Sequence, residues 1–300
     1  MSFDAVEKIA DAILYEGYLL YPYRRSALKN QRRWDFGLVY PPGREHDNEP
    51  SFLQAECLVV AGESYEIQVR VRFLHSFLRE HGADRWQDAT ERTVAVPPAP
   101  LQQLAARPLE VVFQCGGDTA GQQSICGKLE LSAERLNVRL FRFILRVRNI
   151  KTVDCYNAAE RLLHSFASTH AIVGIANGSF ISLLDPPDEY KGAAEACRNA
   201  GLWPVLAGER TSASTMLFSP IILYDYPEIA HESAGDLFDG TEIDEMLTLR
   251  ILTLSEPEKQ EIKVGDPRGR ALLERTETLG EDELRRLHGA IRKPREVGEA

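Results

Sequence analysis

The sequence predicts an α+β fold: an antiparallel, β-sandwich-like sheet core with flanking helices and a helical C-terminal tail. Three observations carry this. Tyr65, Ile67, Val69, Val71 and Phe73 alternate with Glu66, Gln68, Arg70 and Arg72, and Phe141, Phe143, Leu145 and Val147 alternate with Arg142, Ile144, Arg146 and Arg148. Period two with one polar face is the mark of an antiparallel sheet that meets solvent or a partner on that face. Turn-rich stretches separate four or more such segments, as in a sandwich or curled sheet. The last quarter instead carries helix punctuation: Thr241 with Asp244, Ser255 with Glu258, and Asp266 before Pro267.

In chain order, Phe3, Val6, Ile9, Ala10, Ile13 and Leu14 recur at helical spacing, which predicts a helix from Phe3 to about Tyr15, capped by Ser2 and ended by Gly17. Pro41 to Pro50 reads as a surface loop. Strands are expected at 55–60 and 65–73, joined by a hairpin turn at Gly62. A helix or irregular segment follows from His75 to Trp86, and Pro97-Pro98-Ala99-Pro100 is a turn or stiff connection. Further strands are expected at 109–114, 128–131 and 136–147, with the loop CGGDTAGQQS between the first two. Asp154 is placed to cap a helix running through Phe166. AIVGIANGSFISLL reads as a hairpin, because Asn177-Gly178 is the preferred pair for a type I′ turn. A short helix at 189–199, strands at 203–206 and 215–224, and helices near 242–254, 256–263, 267–278 and 281–292 complete the reading. It implies a mixed domain over 1–240 and a helical segment over 241–300, with about 20 loosely held residues at the end.

The charge balance narrows the function. Forty-five acids against 35 Lys plus Arg give a net charge of −10, which argues against a nucleic-acid binder, since such proteins need a basic footprint to neutralise phosphates. The N-terminus has acids where a signal peptide has a basic leader, and no apolar run reaches the ~20 residues of a membrane helix. Five widely spaced cysteines fit reduced, mostly buried thiols, and the expected location is cytoplasmic.

Two segments stand out by charge. Between Tyr18 and Trp34 lie Arg24, Arg25, Lys29, Arg32 and Arg33 with no acid, interleaved with Tyr21 and Tyr23. Arginine among aromatic residues is the composition of an interface hot spot; the alternative is a segment wrapping the sheet with its aromatics inward. From Asp225 to Glu245 there are eight acids, Asp236, Asp239 and Glu242 among them, and no Lys or Arg. Either the two segments dock on each other, or one or both bind another protein. The candidate partner-binding residues are therefore Tyr21, Arg24, Arg25, Lys29, Arg32, Arg33, Trp34, Asp225, Asp236, Asp239 and Glu242.

No catalytic motif is present. There is no Cys-x-x-Cys, no His-x-x-x-His, no Gly-x-Ser-x-Gly and no phosphate loop, so no metal, cofactor or catalytic residue is expected. Cys115 or Cys155 beside His164 or His170 is the weaker, nucleophilic alternative. An enzyme or small-ligand-binding module would place its pocket between the sheet and the helices after Asn149, with His164, His170 or Asp185 as perturbed groups.

The blocks YEGYLLYPYRRSALKNQRRWDFGLVYPP, THAIVGIANGSFISLLDPP, CRNAGLWPVLAGE, SPIILYDYPEIAHESAGDLFDGTEIDEMLTLRILTLSEPEK and DPRGRALLER resemble an uncharacterised bacterial protein family associated with gene clusters for NiFe hydrogenases of the high-affinity, actinobacterial type. The resemblance implies a non-enzymatic accessory role through protein contacts with a hydrogenase subunit or maturation factor. It carries over no catalytic residue.

Overall fold

Strand pairing begins from one long element. In the computed structural model, which describes residues 3–15, 36–43, 49–81, 84–117, 121–154, 157–228, 248, 251–264 and 267–279, helix α1 (Asp4–Tyr15) is followed by strand β1 (Phe52–His81) and β2 (Asp84–Pro100). Then come helix α2 (Leu101–Ala106), β3 (Leu109–Cys115), β4 (Ile125–Arg135), β5 (Leu140–Asn149), α3 (Ala158–Leu162) and β6 (Phe166–Ile181). A 3-10 turn (Asp188–Tyr190) leads into α4 (Lys191–Glu195), β7 (Trp203–Leu206) and β8 (Thr215–Ser219); α5 (Glu256–Val264) and α6 (Pro267–Glu277) follow. The chain divides into two compact units, Met1–Glu16 with Trp34–Glu228 and Gly17–Arg33 with Ile229–Ala300.

The sheet is antiparallel, as expected, but it is a nearly closed barrel-like sheet and not a sandwich. Its order is β3-β4-β5-β1-β6-β8-β7, with β2 also on β1. The reason is β1. Its first part pairs with β5 (Phe52↔Arg148 to Val60↔Leu140) and its second with β2 (Glu66↔Pro100 to His81↔Asp84). One edge of β1 thus serves two strands in succession, while β6 follows the other edge. A bent strand shared in this way curls the sheet on itself.

That bend overturns two expected turns. Gly62 is not a hairpin turn, and Asn177-Gly178 does not reverse the chain. Residues 62–65 of β1 bulge opposite the single Asn177 of β6, and antiparallel pairing resumes beyond (Ala61↔Gly178, then Glu66↔Ala176). Asn177 does take the left-handed conformation its type favours, φ +59°, but inside a continuous strand. The segment 75–86, expected as a helix or irregular, is instead the β1–β2 hairpin, where continuous cross-strand pairing from His75↔Thr90 to His81↔Asp84 overrides local preference. Pro97, Pro98 and Pro100 lie at the end of β2, which pairs with β1 alone among the described strands, so the missing N–H groups break no second ladder. Asn157, not Asp154, caps α3: its Oδ1 accepts from the Ala159 N–H at 2.9 Å. Phe166 opens β6 rather than ending that helix.

Burial follows the layers. In β4 and β5 buried and half-buried residues alternate, because one face lines the core. In β6 the first ten residues are all buried, and so is all of β8. There α1 covers the outer face, with Phe3, Val6, Ala10 and Ile13 packed on Ile172, Val205 and Leu217. The helix is held alongside β1 by ion pairs Glu7–Arg70 and Asp11–Arg72, the second at 2.6 Å. Inside, Phe73, Phe113 and Phe166 pack ring against ring with centroids 4.8–5.6 Å apart, and Tyr65–Phe141 and Phe143–Phe218 extend the packing.

In the second unit Glu258 Oε2 accepts from both the N–H and the hydroxyl of Ser255 (2.8 and 2.9 Å); the first of these is the glutamate half of the capping box that the sequence predicts. Lys259 and Lys263 of α5 converge on Glu277 of α6. The helix expected at 281–292 and the Thr241 cap lie outside the described residues. Among the described residues no helix is long and apolar enough to cross a membrane.

Candidate functional site

The alternation in β3, β4 and β5 puts their charged residues on one outer face, where cross-strand register decides who meets whom. Lys128 pairs with Glu110 at 3.1 Å and Glu130 at 2.7 Å, while Arg146 and Arg148 approach Glu130 at 3.5 and 3.4 Å. Burial alone would raise the Glu130 carboxyl, but its hydrogen bond to Lys128 and the nearby Arg148 hold it below the usual carboxylate range. Both guanidinium groups also lie over the Phe52 ring, 5.4 and 5.0 Å from its centroid. Further along, Arg142 bonds Glu134 at 2.8 Å and faces Glu56 at 3.8 Å. The edge strand β3 adds Val112, 62% exposed. The result is a rigid chequered surface with an aromatic base.

A second cluster sits where the β4–β5 hairpin meets the end of α3. Ser124 precedes β4 and Lys151 follows β5; the antiparallel register (Gly127↔Asn149) makes them neighbours, and Lys151 Nζ donates to Ser124 Oγ at 3.0 Å. Asn149, 3% exposed, organises the surroundings: its amide donates to the carbonyls of His164 (2.7 Å) and Val39 (3.1 Å), and its Oδ1 accepts the Lys151 N–H. His164 is half-buried. Burial lowers its pKa and Lys151 lowers it further, against the opposing influences of a hydrogen bond to the Ser124 backbone and of Glu160. Its Nδ1 is buried without a hydrogen-bond partner. Nearby, His75 Nε2 bonds the Gln123 carbonyl at 2.8 Å, and Arg92 donates to His75 Nδ1 and the Gly116 carbonyl.

His170 lies elsewhere, at a bulge in β6. Ser168 and Thr169 together oppose Phe73, and Ser168 adopts φ +51°. Gly37, φ +56°, presses against this bulge so closely that a Cβ would stand 2.6 Å from the Thr169 nitrogen. His170 Nδ1 meets the Ser168 carbonyl at 2.8 Å, while Nε2 has no partner. Burial, aided by Arg72 and opposed by the hydrogen bond to the Ser168 carbonyl and by Asp11, pushes the imidazole down to about 4. A histidine neutral in the fold but free to protonate when unfolded stabilises the protein fully above the ordinary value of 6.5. That stability is lost progressively as pH falls towards 4, in all about 3 kcal/mol. Urea unfolding at about pH 7 and pH 4.5 should show this loss in the wild type and a smaller one in His170→Leu. Equal losses in the two proteins would show that His170 is not the titrating group.

Of the sequence-predicted residues, the structure places Asp225. Its Oδ1 accepts from the Leu206 N–H at 2.7 Å and its Oδ2 from Ser182 Oγ at 2.5 Å, so it fastens the end of β7 to the turn after β6. Tyr21, Arg24, Arg25, Lys29, Arg32, Arg33, Trp34, Asp236, Asp239 and Glu242 lie outside the described residues, as does Cys155. Cys115 packs on the barrel core from β3. Asp185 closes a turn in which its N–H donates to Ser182 Oγ. The Cys57 and Cys197 thiols are both pushed up by burial, which disfavours thiolate chemistry. Among the described residues no group of three or more His, Cys, Asp or Glu is placed to hold a metal ion.

No protein-family model matches the chain, and no curated protein matches it. Ser124 and Lys151 escaped motif reading because they belong to no motif. The signal that joins them is the hairpin register, which brings the residue before one strand to the residues after the next.

Proposed function

We propose that this protein is a non-enzymatic, cytoplasmic accessory factor that works by docking on another protein, a subunit or maturation factor of a NiFe hydrogenase. The observation that supports docking is the chequered outer face of β3, β4 and β5, where Lys128, Arg146 and Arg148 gather around Glu130 over Phe52. Prearranged charges of both signs set register and on-rate with a complementary partner while little side-chain entropy remains to be lost. The choice of hydrogenase rests on the sequence resemblance. The basic residues Arg24, Arg25, Lys29, Arg32 and Arg33 with the aromatic Tyr21 and Trp34, and the acids Asp225, Asp236, Asp239 and Glu242, are the further contact residues in this reading.

Affinity purification of the tagged protein from its native host, followed by mass spectrometry, tests it. Hydrogenase polypeptides should be recovered, and the Arg24→Glu/Arg25→Glu double variant should recover several-fold less at an unchanged melting temperature. Absence of every hydrogenase polypeptide from the wild-type sample would remove the assignment, and early melting of the variant would make the segment structural. A small-ligand-binding module is the alternative reading, favoured by one observation: the polar cluster of Ser124, Lys151 and His164 at the sheet end beside α3.

A further inference from the structure

We infer that α1 is an acid-released strap: a proton taken up by His170 frees the helix from the sheet and uncovers the apolar strip beneath it. The inference goes beyond the docking reading and needs no partner protein.

The strap has two stripes. Phe3, Val6, Ala10 and Ile13 pack on Ile172, Val205 and Leu217, and all seven are buried. Beside them Glu7, Asp11 and Tyr15 recur every four residues, so they stand one above another on a second face of the helix. Each has a partner on the sheet. Glu7 pairs with Arg70, Asp11 pairs with Arg72 at 2.6 Å, and the Tyr15 hydroxyl donates to Glu91 of β2. Arg72 is the centre of this row, since it also faces Glu91 at 3.7 Å. The acids of the row are 42–59% exposed, so each ion pair contributes little. A helix of 12 residues is marginal by itself in water, and the apolar stripe is its main hold.

His170 lies under this row. It is the direct partner of Arg72 across the β1–β6 ladder, and it shares a face of β6 with Ile172. The ring is fully buried, with Nδ1 on the Ser168 carbonyl and Nε2 without a hydrogen-bond partner. The charged groups that bear on it are Arg72 from β1, which opposes a proton, and Asp11 from α1, which favours one. Glu91 of β2 acts through Arg72. The neighbouring strands β7 and β8 contain no charged residue. Phe36 and Gly37 meet the adjoining Ser168 and Thr169 through backbone hydrogen bonds.

A proton on His170 therefore sets a second cation beside Arg72, with a buried donor at Nε2 that has no acceptor. Both are costly while α1 stays seated. Lifting α1 opens this face of β6 to water and removes the cost, so protonation and release favour each other. The inner core is spared, because Ala171, Val173 and Ile175 belong to the other face. The sign follows: the imidazole is neutral under the seated helix, so α1 is held fully above the ordinary value of 6.5 and is freed progressively as pH falls towards 4. Between pH 7 and pH 5 the opening constant of α1 should rise about 20-fold.

Backbone hydrogen exchange of the full chain, corrected for the intrinsic effect of pH on exchange, tests this. Protection of the α1 amides is expected to fall about 20-fold from pH 7 to pH 5, while the amides of β1 and β6 keep theirs. In His170→Gln, whose side chain does not titrate, α1 protection should change by less than about twofold. If that variant does not fold, His170→Asn takes its place. Asp11→Asn removes the carboxylate beside the two cations. It should let α1 open several-fold more readily at pH 7 and leave the response to pH in place. An α1 whose protection ignores pH, a loss shared by β1 and β6, or an undiminished loss in the His170 variant overturns the inference. No partner protein takes part in the measurement, so its failure is separate from any failure of the docking reading.

Discussion

Phe166→Ala should lower the stability of the protein by about 3–5 kcal/mol, a large fraction of the roughly 5–15 kcal/mol typical of a folded domain. Phe166 is fully buried, and its ring contacts Phe73 and Phe113 with centroids 4.8 and 5.5 Å away. The cluster has no slack. Gly127 opposite has room for no side chain, since a Cβ there would lie 2.2 Å from the Phe113 ring and 2.8 Å from that of Phe166. Truncating Phe166 therefore leaves a hole that Gly127 cannot fill and that the two remaining rings can only partly close. The residue is also where the 36–40 segment joins β6, through reciprocal backbone bonds between Phe166 and Val39 (3.1 and 2.9 Å). Urea denaturation measures the effect, with Val112→Ala as the control. Val112 is 62% exposed, so its truncation should change stability by less than about 0.5 kcal/mol. Similar losses for the two variants would mean that the ring cluster is not the centre of the core.

Arg161→Ala should be comparably damaging, about 3–5 kcal/mol, for a different reason. Arg161 and Glu49 form an ion pair at 2.9 Å with side chains only 9% and 14% exposed. The guanidinium also donates to the Pro41 carbonyl and stands 6.0 Å from the Tyr40 ring centroid, so it ties α3 to Tyr40 and Pro41 as well as to Glu49. The pair is close but poorly aligned: Glu49 Oε2 and Arg161 Nε make no directed hydrogen bond. Coulomb attraction in a dry site is therefore what holds it. Removing the arginine strands a buried carboxylate, whereas removing both charges does not. The double variant Arg161→Met/Glu49→Leu should accordingly recover much of the loss in the same denaturation experiment. A double variant as unstable as Arg161→Ala would show that the loss comes from packing and not from the stranded charge.

Much of the sheet was legible because alternation is a local signal. Residues 141–148 read correctly as a strand with one polar face, and β3, β4 and β7 fall where the apolar residues place them. What the pattern could not convey is closure. Asn177-Gly178 has the chemistry of a turn and Asn177 takes a left-handed φ, yet Gly178 does not, and the pair sits at a bulge because β1 offers pairing partners on both sides of it. The hairpin at 75–86 was masked because its strand character comes from cross-strand pairing between β1 and β2, which local apolar spacing does not signal. The helix α2 was hidden behind the run of prolines that precedes it. Of the polar sites, Arg142, Arg146 and Arg148 were visible as an exposed row, but the convergence of Arg146 and Arg148 on Glu130 and Phe52 depends on the register of three strands. His164 was visible as a candidate; its neighbours Ser124 and Lys151 were not, because each is unremarkable alone.

The long strand β1 also bears on how the chain acquires its fold. Its partners are β2, which follows at once, β5, which ends at Asn149, and β6, which ends at Ile181. During synthesis the first 150 residues can therefore form a hairpin and a meander, but one flank of the central strand keeps its backbone groups unsatisfied until β6 arrives. Loop-closure entropy delays such distant pairings, and an uncovered strand flank is a template for pairing with a neighbouring molecule. The nascent protein is thus most exposed to aggregation in the interval between the appearance of β5 and that of β6, and α1, whose packing surface lies on β6 and β8, can settle only afterwards.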